Sequence, residues 1–112
     1  MLFTSIETFM EIEMRVGTVV SAQPNIKARK PAYVMEVDFG DSIGVKTASA
    51  QITEEYTCEG IEGTQVVAVT NFPTRNIAGV ISEMLVLAVV EGSGRTVLLR
   101  PDKLVNNGCR VL

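Results

Sequence analysis

The stretch NFPTRNIAGVISEML, residues 71–85, contains the side chains of this sequence that are best suited to contact a ligand. Asn71 and Ser82 bracket it, and each can hydrogen-bond a ligand backbone or pin the connection to itself. Phe72 offers apolar surface if it is exposed, and is a core side chain if it is not. The guanidinium of Arg75 can donate two parallel hydrogen bonds to a phosphate or a carboxylate. The stretch therefore has the chemistry of a lip with polar and apolar parts.

Two further features bear on this chemistry. Pro73 stiffens the backbone beside Arg75, whose alternative role is a structural salt bridge, for example to Glu83. Lys46 alternates with apolar neighbours in a predicted strand, so we expect it on the polar face. There it either contacts a phosphate or a peptide carbonyl, or is an ordinary solvated lysine.

Lys27, Arg29 and Lys30 form the only basic cluster, in the polar connection between the first two predicted strands. Such clusters are usually solvated loops, but this one is a candidate for phosphate contacts. The formal charge of the chain is −3, which argues against binding nucleic acid by bulk charge. The chain has no Trp and few Phe and Tyr, which counts against single-stranded nucleic acids that are bound by base stacking.

Catalysis is not expected. There is no histidine, the commonest general base and transition-metal ligand. Cys58 and Cys109 have neither a Cys-x-x-Cys nor a zinc spacing, and no motif supports a dyad of Ser82 with Lys46. The sequence predicts no enzyme, no metal and no cofactor.

The elements that position these residues can be read from the hydrophobic pattern. Thr4 to Glu7 fits a capping box with Thr4 as the N-cap. Ile6, Phe9 and Met10 then form a short apolar stripe, so a helix within residues 1–13 has to dock on a partner. Gly17, inside the first strand pattern, indicates a bulge or a bend. Thr53 is predicted to cap a small helix after the third strand.

Alternating residues predict strands at 15–22, 33–39 and 43–47, with Lys46 opposite Ile43, Val45 and Thr47. The patterns at 65–70 and 84–90 are apolar on both faces, which predicts that neither has a free solvent face. A further strand is predicted at 96–100. Five or six short strands with glycines at the corners favour a closed all-β architecture. A five-stranded oligonucleotide/oligosaccharide-binding (OB-fold) barrel fits the size, although spacing alone does not separate it from another small barrel or sandwich.

Several segments resemble the tRNA-binding domain family. Glu13-Met14-Arg15-Val16-Gly17 is similar to the family's opening Asp-Ile-Arg-Val-Gly, and Asn71-Phe72-Pro73-Thr74-Arg75 with Ser82-Glu83-Met84 resembles its later signature. Within the family, the stand-alone bacterial CsaA type is the nearest match. Its features resemble Ile43-Gly44-Val45-Lys46, Ser49-Ala50-Gln51-Ile52-Thr53 and Val97-Leu98-Leu99-Arg100-Pro101-Asp102.

The resemblance implies an all-β, five-stranded OB-fold barrel with a short N-terminal helix and a small helix between strands 3 and 4. It also implies a homodimer. The family at large binds tRNA, whereas the CsaA type is described as an export-related chaperone of unfolded or presecretory polypeptides. The acidic balance of the chain favours the polypeptide, and tRNA bound through phosphate contacts is the alternative.

These expectations define a single domain over residues 1–112. Its parts are an N-terminal helix region (1–13), a barrel (14–100) and a C-terminal tail (101–112), with both ends in the dimer contact. The predicted ligand-binding residues are Lys46, Asn71, Phe72, Arg75 and Ser82, with phosphate contacts from Lys27, Arg29 and Lys30 and a dimer interface at Ile6, Phe9 and Met10. No signal peptide or apolar run long enough to span a bilayer is visible, so a cytoplasmic location without membrane insertion is expected.

Overall fold

The computed structural model describes all residues from 1 to 112 and is an all-β, nearly closed five-stranded antiparallel barrel with two small helices. The helices are α1 (Ile6–Met10) and α2 (Cys58–Ile61). The strands are β1 (Met14–Pro24), β2 (Tyr33–Asp38), β3 (Val45–Ala50), β4 (Gln65–Val69), β5 (Arg75–Ile77), β6 (Val80–Ser82), β7 (Leu85–Val86), β8 (Ala88–Val90) and β9 (Thr96–Leu98). The predicted fold class is confirmed, including the small helix between the third and fourth strands.

The main sheet has the order β3-β2-β1-β4-β7, and all of its pairs are antiparallel. The hairpins β5–β6 and β8–β9 form two separate ribbons. The C-terminal tail runs beside the start of β1, where Val16 N–H donates to Cys109 C=O and Val111 N–H donates to Met14 C=O. The start of β1 therefore lies between β4 and the tail, and from Thr18 onward β1 pairs with β2.

The core forms where β2, β1 and β4 face the inside of the barrel. Met35, Val37 and Phe39 are at most 1% exposed, as the alternation along β2 predicts. Every residue of β4 is buried, which confirms the prediction for this strand. Burial of side chains of this size stabilises the fold by roughly 1.5–3 kcal/mol each relative to exposure.

The same prediction is wrong for residues 84–90, because Leu85, Val89 and Val90 are 46%, 56% and 68% exposed. The segment does not form one strand. It pairs with β4 at Leu85–Val86, and after Leu87 it leaves the sheet to pair with β9. An apolar run shows that a segment has few polar side chains, but it does not show how many neighbouring strands will cover that segment.

The face predicted for Lys46 is also wrong. Val45 is 51% exposed, Lys46 is half-buried and Ala48 is 1% exposed. The register explains this, because residues opposite each other in an antiparallel pair point to the same side of the sheet. Lys46 lies opposite Val37 and Ala48 lies opposite Met35, so the positions of Lys46 and Ala48 belong to the inner side of β3.

Both helices begin later in the chain than the sequence predicted. The N-cap of α1 is Ser5, not Thr4, and its Oγ accepts a hydrogen bond from Thr8 N–H at 3.1 Å. The second helix is capped by Thr57, whose Oγ1 accepts from Gly60 N–H at 2.9 Å, whereas Thr53 lies in a turn. Starting the helix at this later position puts Ile61 in the core, fully buried. Neither helix has the length and apolarity that crossing a membrane requires.

The irregularity predicted at Gly17 lies later in β1, where the register with β2 shifts between Val19 and Ser21. Gly17 itself is regularly paired with Val66 of β4. A Cβ at this position would lie 2.6 Å from Val37 Cγ1 and 2.9 Å from Asp38 C=O. Glycine is therefore needed here for the close approach of β2 to β1.

Gly17→Ala is expected to lower the free energy of unfolding by about 1–3 kcal/mol, the usual cost of an overpacked core. The measurement is chemical denaturation of both proteins. Gly92→Ala is the matched control, because a Cβ there meets no atom within 4 Å. Equal stability of Gly17→Ala and Gly92→Ala would contradict the close packing of β2 on β1.

Candidate binding face

The outer edge of β3 is closed by side chains of the β5–β6 hairpin rather than by a strand ladder. Ser82 Oγ accepts a hydrogen bond from Ser49 N–H at 3.2 Å. Glu83 Oε1 accepts from Thr47 N–H at 3.0 Å, and Glu83 N–H donates to Thr47 C=O at 2.8 Å. Ser82 is only 4% exposed. These bonds fix the position of the lip, residues 71–85, on the barrel.

The Glu83 carboxylate accepts from β3, and no salt bridge joins it to Arg75. The ion pairs of the chain join Arg15 to Glu13, and Arg95 to Glu55 and Glu91. Arg75 is exposed on β5 and takes part in none of them. Its guanidinium is therefore available to an anionic group of a ligand.

Asn71 has a structural role that occupies both ends of its amide. Oδ1 accepts from Glu13 N–H at 3.0 Å, and Nδ2 donates to Glu11 C=O at 2.7 Å. These bonds tie the segment between α1 and β1 to the end of β4. Of the two roles that the sequence allowed for Asn71, the structure shows the pinning contact.

Phe72 is 44% exposed and is not a core residue. A small cavity of about 70 Å³, called here the lip cavity, is lined by Phe72, Pro73, Arg75, Ile77, Ser82, Met84 and Leu85. The fold thus brings three of the predicted ligand residues together, and the hydroxyl of Ser82 keeps a proton to donate. Apolar walls next to a guanidinium suit an apolar side chain with an adjacent acidic or carbonyl group.

The predicted basic loop lies on the same side of the barrel as the β5–β6 turn. Lys27, Arg29 and Lys30 are exposed and line a concavity of about 490 Å³, the loop concavity, together with residues 49–51 and Ile77. A Cβ on Gly79 would lie 2.7 Å from Lys27 Cδ. The loop and the hairpin are therefore in direct contact.

The residue that makes this contact specific, Asn25, was missed by the sequence analysis. It is 9% exposed. Its Nδ2 donates to Ser49 Oγ at 3.1 Å and to Ala78 C=O at 3.2 Å, and its Oδ1 accepts from Lys27 N–H at 3.1 Å. One side chain thus joins the loop, β3 and the hairpin. The available signal was Asn directly after Pro24, a pair typical of turns in which Asn bonds nearby backbone.

The hairpin turn has a constrained backbone. Ala78 and Gly79 have φ values of 51° and 81°, as a two-residue hairpin turn with both central residues in the left-handed region requires. This conformation costs a residue with a Cβ roughly 1–2 kcal/mol. Asn76 Oδ1 accepts from Gly79 N–H at 3.0 Å, and Asn25 holds the Ala78 carbonyl. The tip is thereby kept in one geometry.

The other predicted residues lie apart from the lip cavity and the loop concavity. Lys46 lines neither. In α1, Ile6 and Met10 are 77% and 37% exposed and Phe9 is half-buried. Arg110 donates to Met10 C=O and Ile12 C=O, so the C-terminal tail and α1 are joined at one surface.

The cysteines are not paired with each other: Cys109 is exposed and Cys58 is half-buried. Burial, together with the nearby carboxylates of Glu59 and Glu62, raises the pKa of the Cys58 thiol. A raised pKa lowers the thiolate fraction and thus the nucleophilicity of this sulfur. No group of three or more His, Cys, Asp and Glu residues is placed to hold a metal ion.

Known proteins provide three comparisons. Residues 14–110 match the family model for a putative tRNA-binding domain. The crystal structure of the chaperone CsaA from Bacillus anthracis strain Ames superposes with a TM-score of 0.93 at 42% identity, over 99% of this chain and 100% of that one. CsaA from Picrophilus torridus gives 0.90 at 38% identity, over 98% and 100%.

Curated relatives include much longer proteins. The methionine–tRNA ligase of Archaeoglobus fulgidus is 36% identical over 107 residues, which is 96% of this chain. The chain spans only 16% of the length of that ligase. The similarity is thus confined to one part of the ligase.

Ser82→Ala is expected to lower the free energy of unfolding by about 1–3 kcal/mol, because Ser49 N–H would lose its buried acceptor. Ser42→Ala is the control, since Ser42 is exposed in the turn before β3. Thermal and urea unfolding measure both variants. If they unfold alike, the Ser82 hydroxyl does not hold the edge of β3.

Proposed function

The chain belongs to the family of putative tRNA-binding domains and is of the CsaA type, and on this premise we propose that it is a non-catalytic, homodimeric chaperone. Its ligands are unfolded or presecretory polypeptides, and its role is linked to protein export from the cytoplasm. The residues proposed to contact the ligand at the lip cavity are Phe72, Arg75 and Ser82, with Asn71 beside them. Lys46, which lies outside this cavity, is proposed as a separate contact. For Asn71, whose side-chain amide is engaged, the contact is limited to its backbone.

The observation that carries this proposal is the lip cavity, where exposed Phe72 lies beside an Arg75 without a carboxylate partner. Unfolded chains expose apolar side chains and unpaired carbonyl groups in varied order. An apolar wall gives affinity that depends little on sequence, and a guanidinium adds hydrogen bonds to carbonyl or carboxylate oxygens. The solved structures of the two CsaA proteins are themselves described as chaperones.

The proposed dimer is supported by the apolar surface at the two ends of the chain. Ile6 is 77% exposed, Leu104 is 87% exposed and Leu112 is 82% exposed. A five-residue helix with no buried residue is not stable by itself in water. A second copy covering α1 and the tail would bury this surface and give α1 a partner.

We expect sedimentation at micromolar concentration to give about twice the monomer mass of 12.1 kDa. Ile6→Glu should shift the mass toward the monomer, because a carboxylate would be desolvated in the contact. Ile26→Glu is the control, since Ile26 is 93% exposed in the basic loop. A wild-type protein that sediments as a clean monomer would overturn the dimer.

A second function, tRNA binding, is favoured by the family model and by the exposed cations of the basic loop. Lys27, Arg29, Lys30 and Arg75 can contact phosphates, and a dimer presents two sets. Against a net charge of −3 per chain, such binding would be electrostatic. If about four phosphates are neutralised, affinity falls roughly 150-fold between 50 and 200 mM salt.

The variants Phe72→Ala and Arg75→Ala distinguish the two ligands. Phe72→Ala should weaken binding of an unfolded polypeptide by about 1–3 kcal/mol, through lost apolar contact, and leave tRNA binding nearly intact. Arg75→Ala should weaken tRNA binding and reduce its salt slope by about one unit per site, with less effect on polypeptide. Titrations of both ligands, and of one in competition with the other, measure this.

Melting temperatures equal to that of the wild type are the control for both variants. If neither variant changes polypeptide binding while Arg75→Ala abolishes tRNA binding, the lip is a tRNA site and the chaperone assignment of this surface is wrong.

A further inference from the structure

The barrel has an open seam on the binding face. β3 and β7 are the two edge strands of the main sheet, and no ladder joins them. Ser82 at the end of β6 and the following Glu83 cover β3 at Ser49 and Thr47. Beyond Ser49 the seam widens into a groove of about 550 Å³, and most of its lining residues are apolar. We call this the seam groove; its walls include Ile77, Leu85, Val86 and Val90.

Gln51 lies where the seam groove, the loop concavity and a third concavity meet, since it lines all three. It is exposed, and neither its backbone N–H and C=O nor its side-chain amide forms a hydrogen bond within the chain. Ile52 N–H donates to Ala50 C=O across it at 3.1 Å, which makes Gln51 the tip of a tight turn. Two donor and two acceptor groups are thus presented together beside an apolar groove.

The two concavities that adjoin the seam groove differ in charge. Lys27, Arg29 and Lys30 line the loop concavity, which shares Ser49, Ala50, Gln51 and Ile77 with the seam groove, and none of the three cations is in an ion pair. The third concavity, which shares Gln51, Gly94 and Thr96 with the seam groove, is lined by both Lys30 and Glu54. Arg95 nearby is already held by Glu55 and Glu91. The loop concavity therefore has three cations and no carboxylate in its lining, whereas the third concavity has one of each.

We propose that the seam groove takes an extended polypeptide segment in which a run of apolar residues is flanked on one side by acidic residues. The inference rests on the polypeptide-binding function proposed above and names the preferred segment. Apolar side chains pack against Ile77, Leu85 and Val86, and the acidic residues lie against Lys27 and Lys30. Gln51 hydrogen-bonds the backbone of the segment. Because backbone groups are common to all sequences, the groove has little selectivity for the sequence of the apolar part.

The chemistry of the groove favours a peptide over RNA as the occupant. A carboxamide offers the same donor and acceptor pair as a peptide group, so it can bond an extended backbone in either direction. Recognition of extended chains through their main-chain groups, with pockets for side chains, is a general mode of peptide binding. A nucleic acid strand has no aliphatic side chains to pack against the apolar walls.

The test uses three labelled peptides that share one apolar hexamer. The first ends in three aspartates, the second ends in three lysines, and the third is the aspartate peptide with N-methylated amides in the hexamer. The wild-type protein should bind the aspartate peptide about tenfold more tightly than the lysine peptide, because opposite charges attract within a few ångströms. N-methylation should weaken binding about fivefold, through lost backbone donors.

Two variants with matched controls locate the contacts. Gln51→Ala should weaken the aspartate peptide about fivefold, and Gln23→Ala, an exposed glutamine on β1, should leave it unchanged. Lys30→Glu should abolish the preference for aspartate over lysine, whereas Ser42→Glu, which adds a carboxylate at an exposed turn away from the groove, should preserve it. Equal binding by Gln51→Ala and wild type, or a charge preference that survives Lys30→Glu, would overturn the proposal.

A permanently unfolded, carboxymethylated protein separates this proposal from the function on which it rests. If the wild type binds that chain and the Gln51 and Lys30 variants bind it equally well, polypeptide binding stands and the seam groove is not its site. If the wild type binds neither the unfolded chain nor any of the peptides, both the function and the groove assignment fail.

Discussion

The geometry of the candidate binding face depends on how the backbone groups at the edge of β3 are hydrogen-bonded. An edge strand presents unpaired N–H and C=O groups, which cost free energy if buried and attract other strands if exposed. Here the side chains of Ser82 and Glu83 accept hydrogen bonds from backbone N–H groups of β3, those of Ser49 and Thr47 respectively. Because only part of the edge is bonded in this way, the hairpin is fixed on the barrel while a seam stays open beyond it. A complete ladder would have closed the barrel and removed the groove.

Asn25 extends this arrangement to the basic loop. Its three hydrogen bonds reach β3, the hairpin turn and its own loop. Because Asn25 is buried, each of these hydrogen bonds is electrostatically stronger than it would be at the surface. The positively charged loop and the apolar lip therefore form one continuous surface. The net charge of the chain says little about such a surface, since no carboxylate lines the loop concavity.

The same surface offers suitable chemistry to both of the proposed ligand classes. Cations without ion-pair partners suit phosphates, and apolar walls beside Gln51 and Phe72 suit polypeptide. Which ligand binds more tightly depends on whether the apolar contacts or the phosphate contacts supply more free energy. At physiological salt, screening reduces the phosphate contribution between exposed groups, and the apolar contribution is not reduced.

The sequence by itself determined the all-β class, the fully buried β4 and the core face of β2, and the motifs shared with the family pointed to the OB-fold barrel and to the segment that forms the lip. Those features follow from local hydrophobic period and motif, which the chain carries residue by residue. Only the tertiary structure decided that Lys46 lies on the inner side of β3 and that the Asn71 amide is hydrogen-bonded to the backbone of Glu11 and Glu13. It also decided that residues 84–90 pair partly with β4 and partly with β9. Each of these depends on register or on partners far along the chain, and local pattern does not specify register. Asn25 and Gln51 escaped notice for the same reason, because their roles arise only where separate elements meet.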